Sequence, residues 1–169
     1  HGMAAYALGD NTAKNAGRLT LNPIKHIDPI GFITLLVFRF GWAKPVPINP
    51  LNFKNRKRDT LLVSIAGPVA NFTIAIIIVL LFKSNIISNY LLIEILFITL
   101  WYNIMLGIFN LLPFPPLDGS KVLASLLPDK IEYYFYIYEK YFNLVLIALI
   151  FTHMIDKILS PLINIVIIT

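Results

Sequence analysis

The sequence predicts an all-α polytopic membrane protein with about three to four transmembrane helices and one short re-entrant or β-like element. Three observations lead there. Of 169 residues, 57% are hydrophobic and 14% are charged, and the mean hydropathy is +0.75, whereas soluble domains carry about 25% charged residues. Long apolar stretches also recur; a soluble chain of this length can bury one such helix but lacks the polar surface to cover several. Finally, the basic residues cluster in loops beside those stretches, at Lys14 to Lys25 and Lys54 to Arg58. That distribution is the footprint of membrane topology and argues against nucleic acid as a partner, despite a formal charge of +5. Cysteine is absent, so no disulfide or thiolate chemistry is available. Residues 1–169 read as a single membrane-embedded domain without internal repeats.

Residues 1–8, rich in Ala and Leu, read as the tail of a helix cut in mid-turn, without the basic start of a signal peptide. Gly9-Asp10-Asn11 supplies its stop. A polar loop follows to residue 29. Ile30 to Phe40 is an apolar run with Arg39 inside it; as a helix it reaches roughly half of a ~30 Å hydrocarbon core. Its β-branched and aromatic content suits strands or a re-entrant hairpin buried against protein. Pro45, Pro47 and Pro50 mark extended chain.

Thr60 to Phe82 carries no charge and, at about 1.5 Å per residue, measures roughly 34 Å, enough to cross with some tilt. After a turn at Lys83 to Asn89, Tyr90 to Leu112 is a second span, with Glu94 near its outer end placed to snorkel toward headgroups. Pro113-Phe114-Pro115-Pro116 breaks that helix. Residues 121–142 are mixed, and Tyr133, Tyr134, Tyr136, Tyr138 and Tyr141 form an interfacial aromatic belt. Phe142 to Ile168 is a third apolar stretch, one long span or two shorter helices. The basic run at 54–58 is expected in the cytoplasm, which sends the first full span outward and the second back in. If residues 30–40 do not cross, Pro113 to Gly119 and residues 1–8 then share the cytoplasmic face.

Asp118 stands in Asn110-Leu111-Leu112-Pro113-Phe114-Pro115-Pro116-Leu117-Asp118-Gly119. A carboxylate beside a broken membrane helix is costly unless paired, solvated or bound to a cation; the plainer reading is a cap on the helix starting near Gly119. Asn71 lies in an otherwise apolar span, where a lone amide needs a partner; a helix-to-helix hydrogen bond is the plain reading. His26 and Asp28 suit structural hydrogen bonding better than a second metal. His153 and Asp156, three apart, are read as an interfacial or helix-end pair.

Five motifs stand in order: His1 to Asp10 with Ala13 to Pro23, Lys25 to Gly31, Gly41 to Pro47, Ala66-Gly67-Pro68-Val69-Ala70-Asn71, and Asn110 to Gly119. Over roughly residues 1–128 this series resembles the site-2 protease family, starting at the second histidine of its H-E-x-x-H motif and including its G-P-x-x-N and L-D-G motifs. The resemblance implies a Zn2+ site with His1 and Asp118 as metal ligands. The first histidine and the catalytic glutamate would lie four and three residues before His1, so the chain is expected to be truncated and inactive by itself. Histidines four apart share one helix face and reach one ion, and a distant carboxylate completes three protein ligands. The ion acidifies the attacking water and polarises the scissile carbonyl while the glutamate shuttles protons. Asn71 matches the family asparagine that contacts substrate or the oxyanion.

The expected activity is therefore zinc-dependent intramembrane endopeptidase action on a membrane protein or peptide, in the cell membrane with the active site toward the cytoplasm. Residues 30–40 are expected to present an unwound substrate by adding an edge strand. A catalytically inactive membrane-embedded homologue acting as a binding protein is the alternative. A small transporter or channel would show inverted repeats and polar residues on several spans, and neither is visible.

Overall fold

The computed structural model describes residues 1–38, 41–152 and 154–168. Arg39, His153 and the side chains of Tyr136 and Asp156 lie outside the described residues, and with them the expected pairing of His153 with Asp156. The described residues form eight α-helices and no strand, only an isolated antiparallel bridge between Ile27 and Ala43. The chain divides into two compact units, His1–Val63 and Ser64–Thr169.

The amino-terminal unit begins with α1 (Gly2–Ala7) and α2 (Thr12–Asn15). α1 stops at Gly9, whose φ of +103° suits glycine, and the Asp10 N–H closes back on the Ala5 carbonyl at 2.9 Å. The Asp10 side chain is fully buried. It accepts hydrogen bonds from the Thr12 N–H and hydroxyl, the Asn49 N–H and the Asn52 amide. These bonds tie the end of α1 to the start of α2 and to the 3-10 turn at Pro50–Asn52. Burial would raise the carboxyl's pKa, but the hydrogen bonds from Thr12, Asn52 and Asn49 outweigh it and lower it to about 2.

α3 (Pro29–Phe38) overturns the β-like reading of residues 30–40. The Asp28 carboxylate accepts from the Gly31 N–H at 2.8 Å and Pro29 occupies the first helical position, so the helix start is capped. The Thr34 hydroxyl folds back on the Gly31 carbonyl at 2.9 Å, satisfying itself without leaving the helix. A capped start and internal bonding thus win over the strand preference of the β-branched side chains. In a helix the N–H and C=O groups are spent internally, so this segment has no edge to add to a substrate strand. α3 is held by two glycines: a Cβ on Gly31 would overlap the Trp42 carbonyl, and one on Gly41 the Gly31 carbonyl. His26 and Asp28 both serve structure, the His26 ring bonding the Thr20 carbonyl at 2.9 Å.

α4 (Arg56–Lys83) starts in this unit, where the Asn55 side chain accepts from the Arg58 N–H and the buried Asp59 accepts from the Asn55 N–H. The remaining turns of α4 open the second unit, followed by α5 (Tyr90–Leu111), capped by the Asn89 side chain on the Leu92 N–H. Both are long and apolar enough to cross a membrane, and only 17% and 11% of their most apolar stretches are buried. A core helix of a soluble protein would be mostly buried; these two present apolar side chains outward, as lipid-facing helices do. They meet where Phe72 fills the notch over Gly107, whose missing Cβ would lie 2.8 Å from the ring. The mixed region after Pro116 is α6 (Asp118–Leu126) and the front of α7 (Asp129–Phe151), and α8 (Met154–Ile168) follows. The third apolar stretch is thus two helices. Ile104 and Ile108 of α5 pack with Leu117, Leu146 of α7, and Ile155, Leu159 and Ile163 of α8.

The turn between α5 and α6 is tight: the Phe114 N–H donates to Leu112, the Leu117 N–H to Phe114, and the Ser120 hydroxyl to Leu117 at 2.7 Å. The Pro115–Pro116 peptide is cis. A Cβ on Gly119 would overlap the Leu111 carbonyl, so α6 starts directly against the main chain at the end of α5.

Replacing Asp10 by Ala leaves four donors without their shared acceptor and should destabilise the amino-terminal unit by about 3 kcal/mol, read as faster hydrogen exchange in residues 1–55; a loss below about 1 kcal/mol would remove the latch from the account. Because the folded-state pKa is depressed from 3.8, the ionised group contributes stability that is complete above about pH 4 and lost as pH falls through about 2. Gly119→Ala should force α6 off the end of α5 and lower the thermal midpoint of unfolding by several degrees; an unchanged midpoint would contradict the close approach.

Candidate metal centre

His1 stands at the N-cap of α1, exposed at the start of the amino-terminal unit. Its Nδ1 lies 2.7 Å from the Val63 carbonyl oxygen. A carbonyl only accepts, so Nδ1 carries the proton, and in the neutral ring the lone pair falls on Nε2. That is the tautomer a metal-ligating imidazole needs, with the second nitrogen held by an outer acceptor. The ring's position is also held from behind. Gly2 is buried, and a Cβ there would lie 2.9 Å from a Leu19 methyl and 3.1 Å from a Val46 methyl, so a larger residue would require those side chains to shift. Ala5, fully buried, packs with Phe53 and Val63. The Asp10 latch fixes the other end of the same short helix.

Asp118 is the first residue of α6, partly buried, at a helix N-terminus that favours negative charge. Leu117 holds the N-cap position, so the carboxylate opens the helix rather than preceding it. Its setting is built by the proline turn before it and by the contact of Gly119 with Leu111. An imidazole with its outer nitrogen engaged and a carboxylate on a rigid helix start are the donor types of a catalytic zinc site. Among the described residues no group of three His, Asp or Glu side chains gathers to hold a metal. His1 belongs to the first unit, Asp118 and Asn71 to the second.

Asn71 sits partly buried in α4, and among the described residues its amide makes no hydrogen bond. No helix-to-helix bond to it is found among the described residues. The other asparagines of the spans behave differently: Asn103 donates to the Thr99 carbonyl at 2.8 Å and Asn110 to the Leu106 carbonyl at 2.9 Å, each within its own helix. Asn71 alone of these three keeps its amide unspent.

Two parts of this arrangement escaped the sequence. Asp10 reads there only as part of a helix stop, although Asp followed two residues later by Thr is a local signal for a carboxylate that caps the next turn. The Val63 carbonyl has no side-chain signature at all, since any residue supplies the same acceptor.

The sequence profile of peptidase family M50 matches residues 81–153, a stretch that contains Asp118. The provisionally named zinc metalloprotease YwhC of Bacillus subtilis is 41% identical over 172 residues, covering 97% of this chain and 78% of that protein. The zinc metalloprotease MJ0392 of Methanocaldococcus jannaschii is 36% identical over 80 residues, 46% of this chain and 22% of that protein. The provisionally named zinc metalloprotease Rip2 of Mycolicibacterium smegmatis is 30% identical over 135 residues, 73% of this chain and 49% of that protein. No solved structure matches. An alignment that runs through nearly all of this chain and more than three quarters of YwhC, together with the M50 profile on the segment that carries Asp118, places the chain in peptidase family M50, the family of the site-2 proteases.

Proposed function

We propose that this chain is the greater part of a zinc-dependent intramembrane endopeptidase, in which His1 and Asp118 are two of three protein ligands. The observation that carries the reading is the hydrogen bond from His1 Nδ1 to the Val63 carbonyl, which aims the ring and leaves Nε2 as the donor nitrogen. Family membership supports the choice of metal, because the matched relatives are named zinc metalloproteases. On this reading His1 takes the place of the second histidine of the family's H-E-x-x-H motif, whose first histidine and glutamate are the third ligand and the general base.

Bound zinc would supply Lewis acidity, acidifying water and polarising the scissile carbonyl. The chain's own residues supply placement. The Val63 carbonyl holds the His1 ring against rotation, and the start of α6 presents the Asp118 carboxylate from a helix whose dipole favours its charge. The unspent Asn71 amide is a donor for the oxygen that gains negative charge as the peptide carbonyl is attacked. The apolar exteriors of α4 and α5 support a setting for this chemistry within the bilayer, and the cations at 54–58 favour a cytoplasmic start for α4 at the cell membrane. The substrate is accordingly a membrane protein or peptide that unwinds locally to expose a carbonyl.

The test uses the full-length parent protein. Asp118→Ala should lose zinc under dialysis that leaves the wild type loaded, and should lose cleavage of a membrane peptide with it; equal zinc content in the two would defeat the ligand assignment. Asn71→Ala should keep its zinc and its KM while kcat falls about 10²-fold to 10³-fold. A rise in KM at unchanged kcat would make Asn71 a binding residue instead. A zinc-loaded parent that binds the peptide without cutting it would favour the inactive, substrate-binding homologue.

A further inference from the structure

The net charge of the chain is not shared between its units. Residues 1–63 hold nine Lys and Arg against three Asp and Glu, whereas residues 64–169 hold five against six. The amino-terminal unit is therefore a strongly cationic body, and its companion is close to neutral.

Its three acids are already engaged by main-chain or side-chain donors. Asp10 is fully buried on main-chain and amide donors, Asp28 accepts from the Gly31 N–H, and Asp59, 5% exposed, accepts from the Asn55 N–H. Whatever pairs the basic side chains make, three acids cannot neutralise nine bases. Four of those bases fall within residues 54–58, and three of the four, Arg56, Lys57 and Arg58, form the first turn of α4. Cations in the first turn oppose the helix dipole, and the single acid of that turn, Asp59, is outnumbered three to one.

The same unit carries an apolar exterior. On α3, Ile30, Ile33, Leu36 and Val37 are each 59% to 69% exposed. A helix of ten residues is about 15 Å long, half the thickness of a hydrocarbon core. Exposed apolar surface together with surplus cations is the composition of a body that lies in the membrane interface and is drawn to anionic lipid. α4 continues from the basic run as an apolar helix long enough to cross a bilayer, which sets the four cations at the depth of lipid phosphates. A soluble polyanion would meet the cations but leave the α3 surface uncovered.

We infer that the amino-terminal unit docks on anionic lipid headgroups, through Lys54, Arg56, Lys57 and Arg58, and that this docking stiffens the unit that carries His1. The surface is independent of the proposed chemistry, so it can fail while the metal assignment stands.

The full-length parent is placed in nanodiscs of phosphatidylcholine alone or with a share of phosphatidylglycerol, and hydrogen exchange is followed in residues 1–63. Exchange should slow by about tenfold in the anionic discs, and the gain should vanish at high salt, where charge is screened. A variant with Lys54, Arg56, Lys57 and Arg58 replaced by Gln should exchange at the same rate in both discs. Equal rates for the wild type in the two lipids would overturn the inference, as would a salt-insensitive difference. So would equal slowing by inorganic phosphate or a short RNA in phosphatidylcholine discs, which would mark a general anion site. Should the variant fail to fold, the salt series on the wild type decides the matter.

Discussion

Lipid offers no hydrogen bonds, and the ends of helices are where a protein chain has main-chain donors and acceptors left over. Much of the polar side-chain chemistry of this molecule is spent on that constraint. Asn22 caps a 3-10 turn at Pro23–His26 and Asn49 the one at Pro50–Asn52, Asp28 caps α3, Asn55 and Asp59 close the start of α4, and Asn89 caps α5. Asp10 does the most, gathering donors from both ends of a forty-residue interval around one buried carboxylate. His1 and Asp118 also stand at helix starts, so the two proposed ligands occupy positions where polar groups are cheapest to hold in an apolar surrounding.

Close main-chain approach is the second theme. Gly31 against Trp42, Gly41 against Gly31, Gly107 under Phe72 and Gly119 against Leu111 all bring segments nearer than any side chain would allow. Gly2 packs α1 closely against the Leu19 and Val46 side chains. Two of these five flank a candidate ligand directly: Gly2 follows His1 and Gly119 follows Asp118. The small residue beside the ligand sets how deeply the helix start can sit, and the ligand inherits its position from that packing.

The long spans were legible because length and scarcity of charge are physical requirements of crossing a bilayer: Thr60 to Phe82 and Tyr90 to Leu112 end within four residues of the ends of α4 and α5. The 30–40 run misled because β-branched side chains bias but do not decide backbone geometry. Asp28-Pro29 before it is a helix-start signal of ordinary strength, and it was the better guide. α7 begins at Asp129, well ahead of Phe142, because its tyrosine-rich front is helical surface, with Tyr134 stacked on Tyr138 one turn away. At the candidate metal centre, motif order singled out His1 and Asp118 as the candidate ligands. What holds them was not legible there, since a carbonyl acceptor and a missing Cβ carry meaning only once the chain is folded.

The account stands or falls on whether the His1 ring and the Asp118 carboxylate meet at one ion. The most direct measurement replaces both residues by cysteine in the full-length parent protein, in its membrane, and asks whether a divalent soft cation or a short bifunctional thiol reagent links the two positions. Efficient linking of positions 1 and 118, with little linking of position 118 to a cysteine at exposed Leu21, is the result the account predicts. A pair that stays unlinked while each cysteine reacts singly would separate the two residues and contradict it.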